Sequence, residues 1–281
     1  MKKGLHYLMS VVFVLWYSGT APAQEFDYHP VLSDNFILSL GAFRSDNSFK
    51  MSAEGVIEDE IENEIDFGNS VGVDESTTLF NGQLRWKFGK ERKWSLFGQY
   101  FDAESSGEAV LTEDVEWQDI TFREGTLVGS GVDVAISRVF VGRSIVKNQR
   151  HDFGIGAGLH NLDLSTFIEG NAQIDDNDTG FRRSEASNNQ PLPNIGFWYN
   201  VSPARNWLIH ARIDWISASI GDYDGTLWNA AAGVNYQAFR HVGFDLTYQY
   251  FNLNANINGS NWNGGVDVQY RGPVLAVTIN W

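Results

Sequence analysis

The sequence predicts an all-β chain, one closed antiparallel up-and-down barrel of about ten strands, with eight as the alternative count. Three observations lead there. Segments of about ten residues alternate apolar and polar side chains, which is the period of a strand with two unlike faces. The connections between them alternate between short polar turns and longer, looser stretches, as they do in barrels that cross a membrane. Aromatic residues gather at both ends of each segment and on one parity, where a lipid-facing surface carries them.

The first element is not part of the barrel. Lys2 and Lys3, an apolar stretch to about Tyr17 and then Ala21-Pro22-Ala23 follow the order of a secretory signal, so residues 1–23 are read as a signal peptide and 24–281 as one barrel domain. Without Lys2 and Lys3, 18 basic residues face 35 acidic ones, a balance that excludes a phosphate-binding surface and with it nucleic acid. An exported chain with no cysteine cannot rely on disulfides, and no window after residue 23 is apolar for long enough to form a spanning helix. In a membrane, such a chain must close a barrel.

Strands are expected at 36–44, 76–88, 94–106, 131–144, 152–164, 191–202, 207–220, 226–238, 242–256 and 266–281. Short turns separate them at Gly89 to Lys93, Val146 to Arg150, Ser202 to Asn206 and Phe239 to His241. Longer connections fall at about 45–75, 107–130, 165–190, 221–225 and 257–265. This arrangement places both termini in the periplasm and the long connections outside the cell. Near the short turns the outward parity carries Trp86, Trp94, Phe153, Tyr199, Trp207, Tyr236, Phe244 and Trp281; at the far ends it carries Phe80, Tyr100, Trp215, Trp228 and Tyr250. From Trp207 to Trp215 a tilted strand rises roughly 20 Å, the height of an apolar band.

The opposite parity should line a polar, charge-mixed lumen: Asn81, Gln83, Arg85 and Lys87; Gly154, Gly156, Gly158 and His160; His210, Arg212 and Asp214; Asn229 and Asn235; Asp245, Thr247 and Gln249. A soluble sandwich or barrel would invert that pattern, burying the aromatic parity. The final strand, with Leu275, Val277 and Ile279 outward and Trp281 last, is expected to close the barrel against the first and to present the signal read by the barrel-assembly machinery.

The order of EIDFGNSVGVD (64–74), LRWKFGKERKWSLFGQYF (84–101), GAGLH (156–160), IGDYDG (220–225) and the terminal VTINW resembles the outer-membrane β-barrel domain family of small bacterial barrels. That resemblance implies an integral outer-membrane location. It carries no activity or catalytic residues to transfer, and many of its members are read as eight-stranded.

Within the lumen set, His210, Arg212 and Asp214 share one face of one strand and are expected to form a charge-balanced ladder, because a narrow lumen does not hold unpaired charges cheaply. His160 is expected in the outer half of its strand, packed and hydrogen-bonded. No histidine has a serine two residues on, as in lipid A deacylases, and His210 sits near a short turn rather than at the outer rim where omptin-type proteases work. The first long connection carries Glu58, Asp59, Glu60, Glu62, Glu64 and Asp66, a solvated charge run or a site for hard divalent cations bridging to lipopolysaccharide phosphates. DDNDTG (175–180) has Ala186 where a calcium loop needs an acid and is expected to be a surface turn.

The expected function is structural or surface-interactive and non-enzymatic, in a lumen largely filled by polar side chains, with no cofactor and no resident metal. A narrow small-solute channel and an envelope hydrolase acting on lipid or peptide are the alternatives. Expected partners are outer-membrane lipid and lipopolysaccharide, with the protein a monomer.

Overall fold

The computed structural model describes residues 28–51, 56–57, 60–61, 65–66, 70, 76–117, 120–174, 177–220, 223–258 and 263–281; the expected signal peptide lies outside them. Ten long strands follow one another: β1 (Phe36–Met51), β2 (Ser76–Phe88), β3 (Trp94–Val110), β4 (Leu127–Lys147), β5 (His151–Ile174), β6 (Asn177–Ala204), β7 (Trp207–Ile220), β8 (Tyr223–Gln237), β9 (Val242–Asn258) and β10 (Asn263–Asn280). Each pairs antiparallel with its neighbours in sequence, and β10 returns to β1, so the ladder closes on itself. The eight-stranded alternative is thereby corrected to ten.

Closure explains the terminal tryptophan. Ile37 pairs with Asn280, the Trp281 amide donates to the Phe36 carbonyl at 3.1 Å, and the Trp281 carbonyl accepts from Asn35 and Phe36, each at 3.0 Å. The Phe36 ring stacks on Trp281 at 5.4 Å and on Trp86 at 6.0 Å. These rings begin a girdle at the turn end that continues through Trp94, Tyr199, the Trp207–Tyr236 pair and Phe244, all exposed. Phe80, Tyr100, Tyr250 and the Trp215–Trp228 pair form the second girdle, also exposed, toward the loop end. Between the girdles Leu84, Val139, Leu246 and Leu275 face outward, an apolar belt that only hydrocarbon can solvate. A closed ladder inside such a belt makes this an integral outer-membrane β-barrel.

Beyond the second girdle the two faces exchange character. On β9 the outward residues Phe244, Leu246, Tyr248 and Tyr250 give way to Asn252 and Asn254, while the inward Asp245, Thr247 and Gln249 give way to Phe251, Leu253 and Ala255. On β3 the outward series changes from Tyr100 to Asp102 and Glu104, and the inward one from Gln99 to Phe101 and Ala103. The exchange is level around the ring: Phe101 pairs with Ile136, Ser137 with Asn161, Tyr250 with Arg271 and Phe43 with Val274. Side-chain parity along a strand is fixed by its geometry, so a strand that leaves lipid for water must move its apolar residues to the inner face. The loop half is a water-soluble barrel continuing a membrane one.

Its core is aromatic. Phe101 meets Phe43, Tyr270 and Phe251 edge-on, at 6.1, 6.0 and 6.2 Å, and all four are fully buried with Trp117, Val128, Val132, Leu164 and Ile168 around them. The expected polar lumen is therefore corrected: it holds for the turn half, and the loop half has an apolar core with a few small polar side chains such as Ser105, Ser130 and Thr166 among it.

The expected long connection at 165–190 is corrected too, because 165–174 and 177–190 continue the strands; at 107–130 only 107–110 and 127–130 do, and Val115–Trp117 and Ile120–Phe122 form a short hairpin between them. β5 and β6 reach 24 and 28 residues, so the 13 residues of β5 beyond Asn161 add roughly 43 Å of strand. The β6–β7 ladder stops at Ile195–Trp215, just after Pro191 and Pro193, which have no amide hydrogen to give. Of DDNDTG, Asn177 to Gly180 begin β6; Glu58, Glu62 and Glu64 lie outside the described residues, as do the side chains of Glu60 and Asp66.

Phe101→Ala should cost about 3–5 kcal/mol through the cavity left among four rings. Urea unfolding in lipid vesicles measures it, and a loss under about 1 kcal/mol, the size of an ordinary surface change, would mean that the loop half is not packed.

Candidate functional site

At the turn end the chain before β1 folds into α1 (Pro30–Ser33) inside the barrel mouth. Proline at its first position fits a helix start, and His29 caps it, the ring Nδ1 accepting from the Val31 amide at 3.3 Å. Lys87 reaches the other end: its Nζ donates to the Val31 carbonyl at 2.5 Å and the Leu32 carbonyl at 3.2 Å, where a helix C-terminus favours a cation. Val31 and Leu32 pack on Ile37 and Leu208, and Arg92 on the first short turn donates to the Ser33 carbonyl. This segment is a plug.

Between the plug and the aromatic core lies a chamber of about 100 Å³, room for several waters. Phe97 on β3 is its pivot. The guanidinium carbons of Arg212, Arg138 and Arg85 lie 4.3, 5.1 and 5.7 Å from its ring centroid, and Arg212 and Arg138 also lie 4.4 and 4.9 Å from that of Phe140. An aromatic face attracts such cations.

Asp214, fully buried, accepts from Arg138 Nη2 at 2.6 Å, from Arg212 Nε at 3.0 Å and from Asn194 Nδ2 at 3.3 Å. Removing it would leave two guanidinium groups without their carboxylate, the costly way to break a buried pair. Two strands along, on β9, Asp245 accepts from His210 Nε2 at 2.8 Å, Thr247 Oγ1 at 2.5 Å and Asn235 Nδ2 at 3.3 Å. Gln249 Oε1 takes bonds from Asn81 at 3.4 Å and Gln99 at 3.5 Å. Asp152 lies 3.8 Å from Lys87 and accepts from Ser144 at 2.6 Å and Trp198 Nε1 at 3.3 Å.

Of the residues singled out from sequence, Arg85, His210, Arg212, Asp245 and Gln249 line this chamber and Asp214 stands behind it. The ladder expected of His210, Arg212 and Asp214 divides: Arg212 and Asp214 pair with each other, while His210 turns to Asp245. His160 lies near the middle of the lengthened β5 rather than in its outer half; it is buried beneath the Phe251 ring at 6.5 Å, and its Nε2 accepts from Asn229 at 3.2 Å.

Sequence reasoning missed Arg138, Asp152, Trp198 and the plug. Arg138 stands among Ile136, Phe140 and other apolar neighbours in a run whose inner face looked uniformly greasy. Trp198 left a readable trace in the glycines opposite: a Cβ at Gly154 or Gly142 would strike its ring, and one at Gly156 would strike the Val141 carbonyl. His29-Pro30 was the available signal for the plug.

A relay of nucleophile, base and acid divides the two imidazole nitrogens between its partners. Here Thr247 Oγ1, at 3.4 Å, and Asp245 share the same His210 Nε2, so no such relay is built. Among the described residues no group of three or more His, Asp and Glu side chains could hold a metal ion.

No protein-family model matches the chain, and no curated protein sequence matches it. Among solved structures it is similar to the outer-membrane protease OmpT of Escherichia coli, with TM-score 0.57 and 9% identity over 92% of this chain and 99% of that one. More distant are the toluene transporter TodX of Pseudomonas putida, with TM-score 0.36 and 8% identity over 88% and 90% of the two chains, and the attachment invasion locus protein Ail of Yersinia pestis, with 0.31 and 9% over 88% and 99%. The likeness to OmpT is one of fold, and a fold of this kind does not name an activity.

His29, outside the spanning strands, titrates low. Burial, with Lys87 and His210 nearby, brings its imidazole down to about 4 against the opposing pull of Asp245. The docked plug therefore binds fewer protons than the released one. Its anchoring is complete above about pH 6.5 and declines as pH falls toward 4. Limited proteolysis at Arg92 and in the segment before β1 should accelerate across that window, and His29→Asn should flatten the dependence; a cleavage rate independent of pH would refute the buried cap.

Proposed function

We propose that the protein is a non-conducting, non-enzymatic outer-membrane barrel whose working part is the extension at its loop end, with a structural or surface-contacting role outside the cell. One observation carries this reading: the strands run on beyond the second girdle around a packed apolar core, so the lumen is stopped by Phe43, Phe101, Phe251 and Tyr270. Water and ions do not cross that core, and the plug narrows the mouth beneath it. A barrel of ten strands is near the size that side chains alone can fill.

The termini are taken as periplasmic, with the short turns, which sends the extension outward. Its outer surface is polar, with Asp102, Glu104, Asp133, Glu169, Arg183 and Asn254 facing water, and it suits contact with other molecules better than transport. The non-enzymatic reading rests on the histidines. His29, His151, His210 and His241 stand at the turn end and His160 is enclosed, so none meets the loop-end surface where an external substrate would arrive. The chain closes its own ladder and needs no second copy, consistent with a monomer among lipid and lipopolysaccharide. Recognition of the β10 end with Trp281 by the assembly machinery, and cation binding by the 56–66 stretch, belong to the same proposal.

Planar-bilayer recording tests it. The intact chain should show no stable conductance steps, and removal of residues 28–34 should leave it silent, because the aromatic core still closes the other half. Stable steps from the intact chain, or from the plugless one, would establish a channel instead.

A further inference from the structure

The charges around Phe97 do not balance. Three guanidinium groups converge on that ring, and the carboxylate among them, Asp214, is already shared by Arg138 and Arg212. Arg85 has neither a hydrogen bond nor a contact ion pair among the described residues, and the carboxylates that act on it, Asp152 and Asp245, do so only from beyond 4.0 Å. The second carboxylate, Asp245, makes its hydrogen bonds to His210, Thr247 and Asn235.

The unpartnered polar atoms are as one-sided as the charges. Arg138 is 2% exposed and leaves Nε and Nη1 without a partner; Gln249 and Asn200, each 2% exposed, leave Nε2 and Nδ2. Against these four donor atoms the chamber lining holds one unpartnered acceptor, Asn235 Oδ1. Water can accept from these donors but brings no charge to the arginines. A group that brings oxygen acceptors and negative charge does both, and the planar fork of arginine fits carboxylate and phosphate oxygens in particular.

We propose that the chamber is a binding site for a small oxyanion, of the inorganic phosphate or short carboxylate class, held between Arg85 and Arg138 with Gln249 and Asn200 completing its bonds. The space of about 100 Å³ sets the size limit. Entry is past α1, because the aromatic core bars the loop end. The bound anion would supply the negative charge that the three arginines lack, and its exchange would be governed by the plug rather than by a through-pore, so the inference is independent of the surface role proposed above.

Calorimetric titration of the full refolded chain with inorganic phosphate, and separately with acetate, tests this at constant ionic strength in sodium gluconate, whose anion is too large for the chamber. Saturable one-to-one binding is expected, weakened about tenfold or more in Arg85→Gln and unchanged in Arg44→Gln, an arginine on the outer surface. The heat-shifted gel mobility of a folded barrel checks each variant. Absence of saturable binding, equal binding by Arg85→Gln, or an equal loss in Arg44→Gln would overturn the site. Should Arg85→Gln not fold, the intact chain decides: replacing gluconate by phosphate must raise its urea midpoint, and no rise overturns the proposal.

Discussion

A β-strand cannot change which of its side chains face inward without breaking its ladder, and that constraint organises this molecule. Most ladders here run the length of their strands, the β6–β7 and β2–β3 ladders ending partway, and register shifts are confined to a few points, between Phe153 and Gly154 and between Ala172 and Gln173 on β5 and between Val201 and Ala204 on β6. The surroundings do change, from hydrocarbon between the girdles to water beyond them. With parity fixed and solvent not, the apolar residues must pass from the outer face to the inner. Phe251 stands one inward position after Gln249, and Asn252 one outward position after Tyr250. Strands β1, β3, β4, β5, β9 and β10 make this exchange at about the same height, whereas Phe181 on β6 stays exposed.

The exchange divides the interior into compartments with different physics. In the loop half the core is held as any soluble core is, by excluded water and edge-to-face rings. In the turn half the belt outside is already hydrocarbon, so the inner face is free to carry charge, provided each charge is answered. Asp214, Asp245 and Asp152 answer most of it through bonds of 2.5–3.8 Å. Arg85, between the aromatic seal and the plug, has no hydrogen bond or contact ion pair among the described residues and is answered only at longer range by Asp152 and Asp245. Lys87 joins the two systems: its ammonium holds the α1 carbonyls and sits beside Asp152, so the plug is tied to the charge network rather than lying loose in the mouth.

Much of this was legible in the sequence because a membrane barrel writes its outer surface as alternation. Trp207, Trp215 and Trp228 share the outward parity that the reading assigned them, and the four short turns fix the strand count at ten. The loop half was misread for the same reason. There the outward face is Asp, Glu, Ser and Asn and the inward face is mixed, as Val128, Ser130, Val132 and Thr166 show, so the local composition looks like a surface loop although the ladder continues. The chamber was legible by parity on β2, β7 and β9. It was not legible on β4, where Arg138 is one charge among aliphatics, nor in α1, whose four residues are placed by contacts with Leu208, Lys87 and Ser202 that lie far away in sequence.

Because the chain has no cysteine, single thiols along β9 report that exchange of faces directly. Leu246→Cys, Asn254→Cys, Thr247→Cys and Leu253→Cys, folded into vesicles, would be compared for reaction with a water-soluble maleimide and for quenching of an attached probe by brominated lipid. The account predicts that position 246 reads as lipid, position 254 reads as water, and positions 247 and 253 read as neither. Lipid contact at 254, or free reaction of 253 with the aqueous reagent while 254 is shielded, would show that the apolar face stays outward along the whole strand and would contradict the sealed, two-compartment barrel.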